Sequence, residues 1–137
     1  MFAPDTKFLI AEDTKTVRAL LRDILQNLGY KQILEAEDGD QALKMMKEAA
    51  EQNDPFGFII ADWNMPGLTG IELLEVRNTD KRFRDIPFLM VTIESERDYV
   101  LKAVAMGVSD FVVKPFSEST IKTKIESIWN RILRSST

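Results

Sequence analysis

The sequence contains neither cysteine nor histidine. Without cysteine, disulfide bonds and thiolate zinc sites are excluded, although the redox compartment stays open. Without histidine, the chain lacks the commonest general base and the commonest transition-metal ligand. Any metal that this chain binds is therefore expected to have oxygen ligands only.

Long apolar runs and an excess of positive charge are also missing. No apolar run approaches the length of a membrane span, and the first residues, MFAPDTKF, show no signal-peptide pattern. We therefore expect a cytoplasmic protein without a membrane partner. The net charge of −4 argues against nucleic acid as the main ligand, because nucleic-acid-binding domains usually present a basic face.

The composition that is present fits one folded domain. The 137 residues are too few for two ordinary domains, and 45% of them are hydrophobic, well above the content of disordered chains. No internal repeat, low-complexity stretch or linker interrupts them. We predict a single domain over residues 1–137, with its core from about 7 to 133, and a monomer.

Short apolar runs alternate with amphipathic stretches along the whole chain. Strands are predicted at 8–11, 32–36, 58–61, 87–91 and 111–113. Helices are predicted at about 15–28, 42–50, 71–77 and 96–106, and from 118 onward. Thr14 and Ser117 are the predicted N-caps, Gly29 ends the first helix, and Asp38 and Gly39 form a predicted turn. Strands that are apolar on both faces and separated by helices predict a five-stranded parallel α/β sheet covered on both sides.

Four of the five predicted strands end in a polar or charged residue. The first ends at Glu12 and Asp13, the third at Asp62, the fourth at Thr92 and the fifth at Lys114. In doubly wound sheets, sites form outside the carboxyl ends of the strands. If the first strand lies beside the third, these carboxylates, the hydroxyl and the ammonium group share one crevice.

Such a crevice favours phosphoryl chemistry. Carboxylates packed together repel each other, so at least one of their pKa values is expected to rise unless a cation neutralises them. Mg²⁺ or Mn²⁺ suits a set of oxygen ligands. Asp62 could then attack phosphorus to form an acyl phosphate, with Lys114 and the metal supplying charge and the Thr92 hydroxyl binding a phosphoryl oxygen. Taken one at a time, these residues are typical of caps, turns and solvated loops, so the prediction depends on their joint placement.

Five motifs resemble those of the receiver domains of two-component signalling, most closely those of single-domain chemotaxis regulators. The motifs are FLIAED, EAEDGDQAL, FIIADWNMPGLTGIELL, PFLMVTIE and FVVKPF. Asp-Trp-Asn-Met-Pro together with Lys-Pro-Phe at this separation is a highly specific combination. The resemblance covers residues 7–133 and implies the strand order 2-1-3-4-5 in a flavodoxin-like three-layer sandwich, an order taken from the family rather than deduced from the residues.

The resemblance also implies the roles of the acidic residues. Asp62 is the expected phospho-acceptor, and Asp13 and Asp62 are the expected metal ligands. Asn64 would offer its backbone carbonyl to the metal, and Glu12 would hold metal-bound water. Glu12 departs from the family, whose chemotaxis members usually have aspartate at this position; the additional methylene is expected to alter metal affinity.

A second group of residues is expected to read the phosphoryl group. Thr92 and Lys114 would sense it, and Phe111 occupies the position of an aromatic switch that swings inward when Thr92 moves. The peptide bond between Lys114 and Pro115 is expected to be cis, as in the family. Phe111 replaces a commoner tyrosine, so its ring cannot donate a hydroxyl hydrogen bond.

Two residues after Thr92 are expected to control access to the site. Ile93 stands where the family usually has a small residue, and Glu94 follows it. A branched side chain at this position should crowd the phosphoryl group and hinder the attacking water. We therefore expect a longer-lived aspartyl phosphate than in typical chemotaxis members.

The expected partners follow from the same resemblance. The phosphodonor would be a histidine kinase of the chemotaxis type, and any phosphohistidine must belong to it. The output face would be built from the fourth helix, the fifth strand and the fifth helix, and it would bind a flagellar motor switch protein or a phosphatase. Its residues would be Ser95, Tyr99, Phe111, Val113 and Lys124. Because the chain ends soon after the last predicted helix, we expect output by binding, from a signalling protein rather than an enzyme.

Three other functions are compatible with parts of this pattern. A haloacid-dehalogenase-like phosphatase also forms an aspartyl phosphate, but it would need a second acid where this chain has Asn64. A flavodoxin-like cofactor module would need a phosphate-binding loop after the first strand, where EDTKT has no glycine and two acids. A receiver that acts as a phosphate sink, or one that regulates a pathway other than motility, is also compatible with the residues.

Overall fold

The structure is a computed structural model that describes residues 1–93 and 97–135. Strands and helices alternate strictly along the chain. The elements are β1 (Lys7–Ala11), α1 (Lys15–Asn27), β2 (Gln32–Ala36), α2 (Gly39–Glu51), β3 (Phe58–Asp62), α3 (Gly70–Thr79), β4 (Phe88–Thr92), α4 (Arg97–Ala105), β5 (Asp110–Val113) and α5 (Glu118–Ser135). None of the helices within these ranges combines the length and the apolarity that a membrane span requires.

The five strands form one parallel sheet in the order β2-β1-β3-β4-β5. Ala11 at the end of β1 lies opposite Ala36 in β2 and Ala61 in β3, and Asp62 lies opposite Val91 in β4. This register confirms the predicted architecture and strand order. It also places the carboxyl ends of β1 and β3 side by side at the centre of one edge.

Each face of the sheet is covered by helices, which explains why the strands are apolar on both faces. Leu9 and Ala11 belong to a core cluster with residues of α2, α3 and α4, whereas Phe8 and Ile10 belong to a second cluster with residues of α1 and α5. All four of these side chains are completely buried. Two hydrophobic layers therefore hold the central strands and fix the position of their ends.

The amino terminus packs at the end of the sheet where the strands begin. Phe2 is only 9% exposed. Its ring centre lies 5.3 Å from that of Phe58 at the start of β3 and 5.0 Å from that of Trp129 in α5. The chain is thus anchored from its second residue onward.

One predicted helix start and one predicted capping hydrogen bond differ from the structure. Helix α2 begins at Gly39 rather than Ala42, because Asp38 is its N-cap and accepts a hydrogen bond from the Gln41 amide at 2.7 Å. The predicted turn at this point is therefore the first turn of the helix. Within the described part of the chain, the Thr14 side chain makes no capping hydrogen bond. The Thr14 amide donates to Glu12 Oε2 at 3.0 Å, which ties the start of α1 to the acidic loop.

The other two predicted helix ends are confirmed. The Ser117 hydroxyl accepts a hydrogen bond from the Thr120 amide at 3.2 Å, as expected of an N-cap. Gly29 follows α1 with φ of +98°, a conformation that glycine adopts without steric cost.

Candidate functional site

Three carboxylates meet at the carboxyl edge of the sheet. Glu12 and Asp13 follow β1, and Asp62 is the last residue of β3. One carboxylate oxygen from each lies within 4.8 Å of the other two. Glu12 is completely buried and Asp62 is 5% exposed, whereas Asp13 faces solvent. The structure thus brings together the acids that the sequence places at the ends of two strands.

Lys114 connects this cluster to the far side of the sheet. Its Nζ lies 2.7 Å from Glu12 Oε1 and 3.2 Å from Asp62 Oδ2. Burial would lower the pKa of Lys114, but the contact with Glu12 and the charges of Asp62 and Glu12 outweigh it and raise that pKa. The ammonium group therefore stays charged and pairs with both buried carboxylates.

The charges and free lone pairs of the cluster suit a divalent cation. Three carboxylates and one ammonium leave a formal charge of −2. Burial, and then the hydrogen bond with Glu12 and its charge, raise the pKa of Asp13, as expected of crowded acids. Although Glu12 Oε1 contacts Lys114, it has no partner of hydrogen-bond geometry among the described residues. An oxygen-only donor set with an unused lone pair fits Mg²⁺ or Mn²⁺.

The backbone around Asp62 is held in place by β4 and α3. The Trp63 amide donates to the Val91 carbonyl at 2.7 Å, and the Trp63 carbonyl accepts from the Gly70 amide at 2.9 Å. A side chain at position 70 would place its Cβ 2.3 Å from the Asp62 carbonyl oxygen, so only glycine allows α3 to begin this close to the strand. The Asn64 amide donates to Asp62 Oδ1 across a long 3.4 Å, and Asn64 itself is exposed.

The predicted sensing residues lie along the other side of the crevice. Thr92 is buried at the end of β4, and its carbonyl accepts a hydrogen bond from the Lys114 amide at 2.7 Å. The peptide bond from Lys114 to Pro115 is cis, as the resemblance implied. Ile93 is 58% exposed. It lines an apolar groove beside Lys114 together with Val17, Leu20, Pro115 and Phe116. Glu94 and Ser95 lie outside the described residues.

The predicted partner-face residues do not all face solvent. Tyr99 in α4 is half-buried, and its ring stacks on that of Trp63 with centres 4.4 Å apart and planes inclined by 5°. Sequence reasoning missed this stack, although an aromatic residue directly after Asp62 was a signal of aromatic packing beside the site. The stack links the residue after Asp62 to helix α4.

The remaining partner-face residues lie on β5 and α5. Phe111 and Val113 are half-buried, and the Lys124 ammonium lies 5.2 Å from the centre of the Phe111 ring. Asp110 holds both Lys124 and Arg131 of α5, each at 3.2 Å. This cluster of charges fixes α5 against the start of β5.

Helix α4 also presents two exposed apolar side chains that sequence reasoning did not select. Leu101 and Val104 are each 57% exposed. Their spacing of three places them on the same side of the helix. They give α4 an exposed apolar surface on a different side of the helix from Tyr99.

Comparison with known proteins identifies the family. The family described as the response regulator receiver domain matches residues 8–126. The chain belongs to this family. Receiver domains bind Mg²⁺ at an acidic pocket, and in this chain Glu12, Asp13 and Asp62 form an acidic group that could hold a metal ion.

Named relatives of this receiver are chemotaxis proteins. It is 42% identical to chemotaxis protein CheY of Pseudomonas aeruginosa over 126 residues, which cover 92% of this chain and 98% of that protein. It is 38% identical to CheY-3 of Vibrio cholerae over 126 residues, covering 92% and 93% of the two chains. The solved structure of CheY4 of Vibrio cholerae has a TM-score of 0.80 and 29% identity, covering 90% of this chain and 98% of that one.

These matches favour one of the functions compatible with the sequence. The chain is a receiver domain of the CheY type, a class of signalling proteins. Neither the phosphatase nor the phosphate-sink alternative is favoured by the relatives.

Proposed function

We propose that this receiver is switched by phosphorylation of Asp62 in the presence of Mg²⁺. One observation carries the proposal: the Asp62 carboxylate lies within 4.8 Å of two further acids and 3.2 Å from the Lys114 ammonium. This arrangement combines a nucleophile, a cation site and a fixed positive charge in one pocket. Phosphoryl transfer depends mainly on such positioning and charge neutralisation.

Each residue of the pocket has a separate proposed role in phosphoryl transfer. Asp13 and Asp62 would hold Mg²⁺ directly and Glu12 would hold it through bound water, with the Asn64 carbonyl as a further ligand, and the metal would neutralise phosphoryl oxygens. The Asp62 oxygen that does not hold the metal forms the new bond to phosphorus while the bond from phosphorus to the donor nitrogen breaks. Lys114 pairs with the added negative charge, and the Thr92 hydroxyl binds a phosphoryl oxygen.

The proposed donor is a histidine kinase of the chemotaxis type. The chain has no histidine, so a phosphohistidine donor must come from another protein. The apolar groove formed by Val17, Leu20, Ile93 and Phe116 adjoins Lys114 and offers a surface on which the donor domain can dock. Leu20 is 45% exposed there, as a residue covered only in the complex would be.

The proposed output is a change of binding rather than turnover of a substrate. Movement of Thr92 and Lys114 toward the phosphoryl group would let the Phe111 ring turn inward and reshape the face of α4, β5 and α5. The partner that we propose for this face is a flagellar motor switch protein, with a phosphatase as a further partner. Val113 and Lys124 lie on the same face as Phe111.

Phosphorylation can be tested with a small donor. Acetyl phosphate and Mg²⁺ should add one phosphoryl group to the peptide that contains Asp62, as measured by mass spectrometry. Asp62→Asn and chelation of the metal should each abolish the adduct, whereas Asp54→Asn, an exposed acid paired with Lys7, should not. An adduct on another residue, or one formed equally without metal, would refute the proposal.

Output can be tested by peptide binding. Beryllofluoride, a mimic of the aspartyl phosphate, should strengthen binding of a helical peptide from the switch protein, measured by fluorescence anisotropy. Equal affinity with and without beryllofluoride would remove the switch from the proposal while leaving phosphorylation intact.

The proposed role of Ile93 is to prolong the phosphorylated state. Its side chain lies at the rim of the groove beside Lys114, where it can hinder the attacking water. Ile93→Ala should therefore hydrolyse its aspartyl phosphate faster than the native protein in a measurement of phosphate release. An unchanged or slower rate would refute this role.

A further inference from the structure

The structure assigns a positioning role to Arg18 of helix α1. We propose that Arg18 fixes the loop that carries Glu12 and Asp13 and thereby sets the affinity of the pocket for Mg²⁺. The inference rests on the proposed function, because it concerns the same metal site. Nothing in the motif pattern selected Arg18, since its contacts appear only when the chain is folded.

The Arg18 side chain reaches back from the helix to the loop that precedes it. Its Nη1 donates a hydrogen bond to the Glu12 carbonyl oxygen at 2.8 Å. Its Nε lies 3.4 Å from Glu35 Oε1, and its Nη2 lies 3.9 Å from Glu37 Oε1. The side chain is only 11% exposed. The guanidinium group is therefore fixed between β2 and the loop by ionic contacts on one side and a carbonyl on the other.

The carbonyl that Arg18 binds belongs to the peptide bond between two acids of the pocket. On the other side of the same residue, the Glu12 amide donates to the Ala36 carbonyl of β2 at 3.1 Å. Both polar backbone groups of Glu12 are thus held, which leaves the Glu12–Asp13 peptide plane little freedom to rotate. Because the Asp13 side chain is exposed and not packed in place, its direction depends on this backbone.

Arg22, one turn further along α1, provides a matched comparison. Its Nε lies 2.6 Å from Glu35 Oε2, and its Nη2 donates to the Ile33 carbonyl at 2.9 Å. Both arginines therefore pair with Glu35, but these two contacts of Arg22 reach β2, whereas Arg18 also reaches the loop. A general contribution of α1 to folding would be shared by both arginines, whereas a contribution to the metal site would belong to Arg18.

The positive charge of Arg18, taken alone, predicts the opposite change in Mg²⁺ affinity from the positioning role. Removing a positive charge near three carboxylates should strengthen the binding of a cation, because one source of repulsion is lost. Removing a group that positions two ligands should weaken it; partners that orient metal ligands typically contribute about 10- to 100-fold to affinity. The direction of the change therefore separates positioning from simple electrostatics.

The test is calorimetric titration of Mg²⁺ into metal-free protein. Arg18→Met should raise the dissociation constant about 10-fold. Arg18→Lys, which keeps the charge and one donor, should recover part of the loss, and Arg22→Met should stay near the native value. In metal-free protein, the amide NMR signals of 12–14 should shift in Arg18→Met and stay in place in Arg22→Met. If Arg18→Met does not fold, Arg18→Lys should still bind Mg²⁺ measurably more weakly than the native protein.

The possible outcomes separate this inference from the proposed function. In one outcome, the native protein binds Mg²⁺ and the Arg18 variants bind it equally well or more tightly. That result would overturn the positioning role and leave the receiver mechanism unaffected. Equal weakening by Arg22→Met would overturn it as well, since the effect would then belong to α1 in general. Native protein that binds no Mg²⁺ would overturn the proposed metal site and this inference together.

Discussion

The two sides of the crevice are built differently. On the side of β1 and α1, Glu12 is completely buried, its backbone is bonded on both sides, and Arg18 holds it from the helix. On the side of β4 and α4, Ile93 is 58% exposed and Leu101 is 57% exposed. The first side is held by ionic and backbone contacts, and the second presents apolar surface to solvent.

This difference matches the two tasks of a receiver. Ligands of a small cation must be held in place, because the geometry of Mg²⁺ coordination tolerates little deviation. A surface that changes partners must be accessible, and exposed apolar patches commonly mark such surfaces. Lys114 is the link, since it begins on the second side and its ammonium group pairs with Glu12 and Asp62 on the first.

Removing the Lys114 ammonium group, which connects the two sides, should have the largest effect on stability. Lys114→Met leaves the buried Glu12 carboxylate without its cation, so we expect a loss of about 3 kcal/mol in metal-free protein. Urea unfolding with a chelator measures it, and added Mg²⁺ should restore much of the loss. The exposed Lys122→Met is the control, and an equal loss in that variant would contradict the prediction.

The pH dependence of the same contribution has a defined sign. The pKa of Lys114 is raised above its ordinary value of 10.5, so the ammonium group stabilises the folded state fully below pH 10.5. The stability difference between native protein and Lys114→Met should disappear as the pH rises through the raised pKa. A difference that vanishes already at neutral pH would count against the ion pairs.

Removing the ring stack should have the next largest effect. Tyr99→Ala removes the contact between α4 and Trp63, and we expect a loss of about 1 kcal/mol from the stacking itself. Tyr99→Phe keeps a stacked ring and should stay close to native. Urea unfolding of both variants, followed by Trp63 fluorescence in a Trp129→Phe background, distinguishes them. Equal destabilisation by Tyr99→Ala and Tyr99→Phe would show that the lost stability comes from the hydroxyl group and not from the ring stack.

Weakening the ion pairs of Asp110 at the start of β5 should have a smaller effect on stability. Asp110→Asn weakens the pairs with Lys124 and Arg131, which are partly exposed, so we expect a loss below about 1 kcal/mol. Because salt screens such pairs, the loss should shrink in 1 M salt, at a screening length of about 3 Å. Thermal unfolding measures both, with the exposed Asp23→Asn as control. A loss that grows with salt would contradict this interpretation.

Changing the exposed apolar surface should leave stability nearly unaltered. Leu101→Ser and Val104→Ser remove side chains that are mostly in solvent, so each should alter stability by less than about 0.5 kcal/mol. Their effect should appear instead as weaker binding of the beryllofluoride-activated protein to its partner peptide. Leu34→Ser, on the edge strand β2 outside the proposed output face, is the control, and unchanged peptide affinity in both α4 variants would exclude this surface from the output face.

The fold and the position of the acids were predictable because they depend on local signals. Asp62 ends an apolar strand, Glu12 and Asp13 follow another, and parallel strands end at one edge of a sheet. The strand order itself came from the family resemblance. The caps at Ser117 and Gly29 were predictable for the same local reason.

The missed contacts depend on how whole elements pack. The stack of Tyr99 on Trp63 requires a particular rotation of α4 over β3, which no local pattern encodes. The hydrogen bond between the Thr14 amide and Glu12 depends on the direction of the Glu12 carboxylate, which the sequence does not encode locally. Arg18 has the sequence pattern of an ordinary helical arginine until β2 brings Glu35 beside it.

The burial of Phe2 has a practical consequence for handling this protein. Since the second residue already lies inside the molecule, against Phe58 and Trp129, a purification tag joined directly to the amino terminus would crowd that packing. Arg134 in the last described turn of α5 is exposed, so we expect an attachment near it to disturb less packing. Surface immobilisation and dye labelling should therefore use that end of the chain.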